Sequence, residues 1–173
     1  MMKLTHMKQR VGSSAVFALL NDIFDTFDSL VVQADFGIEK LGTVGDAYLV
    51  VSRTDGPGTS AGAPIGERAT AMARLALAMR DVVLSRAATG FDGLSMRLGM
   101  HVGQHHAALL NLLYRPWGPA LEGATKCEQD APNAAVLLSA DAAALVNTGE
   151  LPHGTFEIVP KEAGRVALEK MKS

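Results

Sequence analysis

Apolar residues recur every three or four positions through GSSAVFALLNDIFDTFDSLVVQ, placing Val16, Leu20, Ile23, Phe27 and Leu30 on one side. That is the spacing of an amphipathic helix, and Ser13 or Ser14 after Gly12 is its expected cap. Asp22, Asp25 and Asp28 repeat on the opposite side. A free helix surface cannot close a coordination shell, so these acids read as a solvated face and not as metal ligands. The period then changes. GIEKLG and AYLVVS are short extended runs joined by TVGD, which predicts a hairpin with a buried second strand. RTDGPGTSAGAPIG has no periodicity and predicts a flexible surface loop over 53–66. The helical period returns in ERATAMARLALAMRDVVLSRA, with Met72, Leu75, Met79 and Val82 or Val83 inward, the methionines serving as core packing.

Downstream, LSMRLGMHVG reads as a strand and QHHAALLNLLY as its antiparallel return. WGPALEGATKCEQDA is helical in its later part, with Pro119 suited to a first turn. NAAVLLS is a strand, ADAAALVN a short helix capped by Ser139, and TFEIVP with GRVALEKM a closing hairpin. The opening MMKLTHMKQR reads as a turn or two of polar helix. Hairpins mixed with helices that cannot all be crossovers predict an α+β fold, its sheet covered on one face by the long helices.

Composition narrows the class. The 173 residues suit one domain with a real core. A net charge of −2 gives no electrostatic footprint for nucleic acid or an anionic membrane. A single cysteine, Cys127, excludes an internal disulfide, suits a reducing compartment and is best placed as a small buried hydrophobe. No apolar run approaches the roughly 18 residues of a membrane span, and no apolar stretch follows the basic N-terminus as in a signal peptide. These features imply a cytoplasmic protein, or a cytosolic domain of a larger or membrane-anchored one. Three histidines cluster: His101 on a strand reads as structural, and His105 and His106 point apart if extended, which disfavours a joint metal site.

Three separated stretches, LLNDIFDTFDSLV…IEKLGTVGDAYLVVS, MRLGMHVG and WGPALEGATKCE, resemble the catalytic domain of class III adenylate/guanylate cyclases. The match runs from about Leu4 to the C-terminus. The resemblance implies a ferredoxin-like core that dimerises head to tail, with active sites at the subunit boundary. It implies cyclisation of ATP or GTP to a 3′,5′-cyclic nucleotide and pyrophosphate, with Mg2+ or Mn2+ held by two carboxylates of one subunit. An Asn and an Arg of the other subunit would brace the transition state.

Carried over position by position, the resemblance is partial. Asp46 falls at the second metal aspartate. The first lies on a strand before the segment resembling LTHMKQRVGSS, so the chain is expected to be truncated at its N-terminus. The base-reading Lys or Glu is replaced by Gly42, beside Gly45 of the turn, and the second base-reading position is Arg115. Lys40, two residues before Gly42, shares its face if the strand alternates regularly and could reach the base instead. The catalytic Asn aligns with Glu122 and the Arg with Lys126, which keeps a positive charge without the bidentate fork. Three functions follow: a cyclase, weak or inactive as this chain alone, working as a homodimer or beside another cyclase domain; a catalytically degenerate regulatory or dimerisation module; and, more remotely, a diguanylate-cyclase-like domain. No nucleic-acid partner and no membrane contact are expected.

Overall fold

The computed structural model describes residues 12–52, 63–104, 106–110, 113–152 and 156–170. The expected polar helix at the N-terminus, His105 and residues 53–62 of the expected loop lie outside the described residues. The loop's last two positions, Ile65 and Gly66, are helical.

Helix α1 (Ser13–Gln33) opens the described chain. Its N-cap is Gly12, with no side-chain cap bond, so neither serine takes the expected capping position. Val16, Leu19, Ile23, Phe27 and Val31 are buried, whereas Leu20 and Leu30 are only partly so. The predicted stripe is thus correct in its centre and rotated slightly at its edges. A hairpin follows: β1 (Ile38–Val44) antiparallel to β2 (Ala47–Ser52), then α2 (Ile65–Ala88). Leu75, Met79 and Val83 of α2 face inward as the spacing predicts.

Beyond α2 the predicted pairing fails. Strand β3 (Leu98–Met100) does not turn back on the next segment; it pairs in parallel with β6 (Val136–Leu138). The segment read as its return splits into a hairpin of its own, β4 (His106–Leu110) with β5 (Leu113–Trp117). The apolar run in ALLNLLY, punctuated only by Asn111, gives no sign that the segment divides into two paired strands. Helix α3 (Pro119–Asp130) starts with proline at its first position. Helix α4 (Ala140–Leu145) follows β6 and is capped by the Ser139 hydroxyl, which accepts from the Ala142 amide. Strands β7 (Phe156–Pro160) and β8 (Val166–Lys170) form the closing hairpin, giving the order β3-β6-β8-β7.

This four-stranded sheet carries helices on both faces, not one as expected. Val136, Leu138 and Leu168 pack with Ala69, Ala73 and Leu77 of α2 and Ala142 of α4. The alternate residues Leu137 and Ala167 pack with Cys127 and Ala131 at the other side. Two glycines allow α3 to lie tight against β3. A Cβ on Gly99 would come within 2.2 Å of the Ala124 carbonyl oxygen, and one on Gly123 within 2.3 Å of the His101 ring.

Two arginines of α2, Arg68 and Arg80, are buried. Arg68 donates from Nε to the Ala63 carbonyl (3.2 Å) and from Nη1 to the Phe36 carbonyl (3.3 Å) and Ser52 Oγ (3.5 Å). Arg80 donates from Nε and Nη2 to Asp81 Oδ1. Both lie on apolar lines of the helix: Arg68 leads Met72, Leu75 and Met79, and Arg80 follows Ala69, Ala73 and Leu77. A charged residue in phase with an apolar stripe was the available signal for a buried, bonded arginine.

Candidate active site

The β1–β2 turn presents Asp46. Val44 pairs with Ala47, leaving Gly45 and Asp46 as a two-residue connection. Gly45 has φ 61° and Asp46 is not among the residues with positive φ, the pattern of a type II′ hairpin turn. The glycine therefore sets the turn, and the turn puts the carboxylate at its tip.

The hairpin is braced from α1. Lys40 Nζ donates to both carboxylate oxygens of Asp28, at 2.7 and 2.8 Å, and the Tyr48 hydroxyl donates to Asp28 Oδ1. The ammonium also lies 5.0 Å from the Tyr48 ring centroid. That ring packs between Phe24 and Phe27, each 5.3 Å away centroid to centroid. The hydrogen bonds from Lys40 and Tyr48 hold the Asp28 carboxyl below its ordinary value. Burial, then the same carboxylate, pushes the Tyr48 phenol far up. Asp28 is therefore an anchor, and Asp22 likewise meets Arg86 at 2.6 Å. The acidic side of α1 is less solvated than its spacing suggested.

Regular alternation does not hold along β1. Lys40 pairs with Val50 but Gly42 pairs with Leu49, so Leu41 is an extra residue in a bulge. Lys40 and Gly42 consequently face opposite sides of the hairpin, and Lys40 is turned to α1. Gly42 has φ 144°, and a Cβ there meets nothing within 4 Å.

Between β2 and β3 lies a slot of about 370 Å³, lined along one wall by all six residues of β2 and along the other by Leu98, Gly99 and Met100. Asp46 sits on its lining with β2, as does His101, whose Nδ1 is 2.9 Å from Ser139 Oγ. The bond to Ser139 and the packing against Gly123 agree with a structural His101. From α3, Ala120, Leu121, Ala124, Thr125 and Glu128 face the slot. Glu122 and Lys126, one turn apart, are exposed on α3 and do not line it. Arg115 is on β5, paired with Ala108. Within one protomer, then, Asp46 is not brought together with Glu122 or Lys126.

The slot also explains β2. Expected to be buried, this strand is half-exposed at every position. Among the described residues its strand partner is β1, and no backbone hydrogen bond joins it to β3.

Among the described residues no three His, Cys, Asp or Glu gather where they could hold a metal ion. A divalent cation of the magnesium or calcium kind takes six or more oxygens. The described side chains supply one suitably placed carboxylate, Asp46, and so do not fit a two-ion centre by themselves. Cys127 is buried, and burial pushes its thiol up. Among the described residues no helix is long and apolar enough to cross a membrane.

Comparison with known proteins accounts for this architecture. The family described as the adenylate and guanylate cyclase catalytic domain matches residues 1–171. Atrial natriuretic peptide receptor 2 of Homo sapiens is 33% identical over 120 residues, 66% of this chain and 11% of the receptor. The membrane guanylyl cyclase of Dictyostelium discoideum is 27% identical over 121 residues, 68% of this chain and 8% of that protein. The chain thus spans about a tenth of the length of these relatives. Among solved structures, the monomeric guanylyl cyclase domain of the RhoGC fusion protein from Blastocladiella emersonii superposes with TM-score 0.73 at 19% identity, covering 99% of this chain and 91% of that one. The adenylyl cyclase CyaB from P. aeruginosa gives 0.71 at 16% identity, with coverages of 99% and 91%. At these identities the structures speak for the fold, the mixed α+β cyclase fold that the resemblance implied. The match along nearly the whole sequence carries the assignment: the chain belongs to the adenylate and guanylate cyclase catalytic-domain family.

Proposed function

We propose that this domain cyclises ATP or GTP to a 3′,5′-cyclic nucleotide and pyrophosphate, weakly or not at all as a lone chain, and that it works on the cytoplasmic side as a head-to-tail dimer. In that reaction the ribose 3′-oxygen forms a bond to the α-phosphorus, the bond from that phosphorus to pyrophosphate breaks, and the 3′-hydroxyl gives up its proton. The observation that carries the reading is Asp46, delivered by a glycine-set turn to the end of the slot between β2 and β3. Its carboxylate is the residue we assign to holding Mg2+ or Mn2+, an ion that would lower the nucleophile's pKa and offset phosphate charge. Gly42, Gly45 and Arg115 are assigned to the nucleotide side. Glu122 and Lys126, on the face of α3 turned from the slot, suit a site completed across a subunit boundary. Lys40, engaged by Asp28, is assigned to bracing the hairpin and not to the base. The partner is a second copy or another cyclase domain.

GTP bound to the domain of RhGC from Catenaria anguillulae, and ATPalphaS bound to a rhodopsin-guanylyl cyclase core of converted specificity, supply the substrate class by analogy. The test is incubation of the purified chain with Mn2+ and ATP or GTP, alone and with a second cyclase domain, measuring cyclic nucleotide and pyrophosphate together. Equal amounts of both products support the reading, and neither product in any combination removes it. A second reading, a catalytically degenerate dimerisation module, is favoured by the single metal-type carboxylate and by Gly42 at the base-reading position. It predicts dimerisation without product.

A further inference from the structure

The connection from α2 to β3 carries Asp92 directly before Gly93. Leu94 N donates to the Phe91 carbonyl at 3.0 Å and Gly93 has φ 84°. Residues 91–94 therefore form a tight turn with glycine at the position that needs a positive φ. Asp92 and Gly93 are both exposed. Among the described residues the Asp92 carboxylate enters no hydrogen bond or ion pair, and the Gly93 N–H donates none. A Cβ built on Gly93 meets nothing within 4 Å, and the same holds for Gly90 just upstream. The peptide joining Asp92 to Gly93 is thus free to rotate, and no side chain screens its nitrogen from the neighbouring carboxyl group.

We infer that Asp92 is a self-modification site that converts to isoaspartate in the folded domain. The Gly93 nitrogen bonds to Asp92 Cγ, while the nitrogen's proton and the hydroxyl of the protonated carboxyl group leave together as water. The product is a five-membered succinimide. Water then adds to one of the two ring carbonyls. Opening at Cγ restores aspartate. Opening at the former backbone carbonyl leaves the chain running through Cβ and Cγ, with the old main-chain carbon as a free carboxylate. No oxidant, cofactor or enzyme is consumed, and the composition of the chain is unchanged.

The other described aspartates are less suited. Asp22, Asp25 and Asp28 lie inside α1, where the following amides are tied into the helix. Asp46 precedes Ala47, which carries a methyl group and is paired in β2. Among the described residues Asp92 alone is followed by glycine. The conversion has a structural consequence, because it adds one methylene to the main chain between Phe91 and Leu94. Leu94 and Met96, directly beyond the turn, are buried in the core, and the Met96 carbonyl accepts from the Ala134 amide at 2.9 Å. A longer turn pushes against these anchors and loosens the entry to β3. None of this depends on catalysis by the domain.

The experiment ages the intact chain near neutral pH in water enriched in heavy oxygen and then digests it with trypsin in ordinary water. Cleavage after Arg86 and Arg97 isolates residues 87–97, in which Asp92 is the only acid, and Asp55 with Gly56 falls in a separate peptide. The expected result is a second form of this peptide that carries one heavy oxygen atom. It should accept a methyl group from S-adenosylmethionine in the presence of an isoaspartyl carboxyl methyltransferase. Asp92→Glu, whose ring would be six-membered, should yield at least tenfold less of a methyl-accepting form. Asp92→Asn, which loses ammonia through the same five-membered ring, should form it at least tenfold faster. In modified chains, amide hydrogen exchange at Leu98–Met100 should be at least threefold faster than in unmodified ones. Formation in the isolated 87–97 peptide but not in the folded chain overturns the inference, as does equal yield from Asp92→Glu. Unchanged exchange in the modified chains overturns the loosening of β3.

Discussion

Lys40 and Gly42 stand two residues apart on β1 yet face opposite sides of the hairpin, because the bulge at Leu41 inserts one residue between their pairing partners Val50 and Leu49. Lys40 is thereby committed to Asp28 on α1, and Gly42, which we assign to the nucleotide side, carries no side chain.

Gly42→Lys tests that geometry. No atom lies within 4 Å of a Cβ built there, but φ 144° is a glycine conformation. The substitution is expected to fold and to cost about 1 kcal/mol, read from urea unfolding. A neutral or stabilising result would show that the bulge rearranges.

Asp28→Asn should destabilise the domain by about 1 kcal/mol at pH 7, since it removes a charged acceptor shared by Lys40 and Tyr48 at a half-exposed site. The folded carboxyl titrates below its ordinary 3.8, so its contribution is full above that value and is lost as pH falls through the lower folded one. Unfolding curves of the variant and the parent chain should therefore converge in strong acid and reach their full separation by about pH 4, with no further divergence above it.

Asp46→Ala probes the proposed chemistry. Product formation should fall roughly 100-fold or more, with a much smaller effect on the melting temperature, since Asp46 is a half-exposed residue of a turn and not part of the core. Equal loss of stability and activity would make it a structural turn residue only.

Gly123→Ala and Gly99→Ala should each destabilise the fold, the first by about 1–3 kcal/mol through its clash with the His101 ring. The second should cost more, because the obstacles are the backbone of Ala124 and Glu128, which cannot swing aside.

Cys127 should react slowly with a thiol reagent in the native protein and at least 100-fold faster in denaturant. It is buried at 4% exposure, and burial raises the thiol's pKa. Rapid native reaction would mean that the contact of α3 with the sheet opens readily.

The long helices, the β1–β2 hairpin, the Ser139 cap and the closing hairpin were legible because each carries a local signal: period, turn glycine, capping hydroxyl. The pairing of β3 with β6 was not, since parallel partners separated by a hairpin and a helix leave no mark in either strand. The bulge at Leu41 was equally silent; a single inserted residue in a strand looks like any other position, yet it reversed the side to which Lys40 points. Asp46 could be placed at a turn from GD alone, but its position on the slot depends on β3, a contact distant in sequence. The acids of α1 looked solvated because their partners, Lys40 and Arg86, come from elsewhere in the chain.

Arg68 ties the carbonyls of Phe36 and Ala63 and the hydroxyl of Ser52 to one guanidinium. The two ends of the crossover from β2 to α2 are thus fastened by the frame itself and not by whatever runs between them. Closing a longer connection costs only about 0.6 kcal/mol per doubling of its length. The crossover is therefore a splice point, where sequence can be lengthened, shortened or exchanged for a new module while the two halves it connects keep their positions.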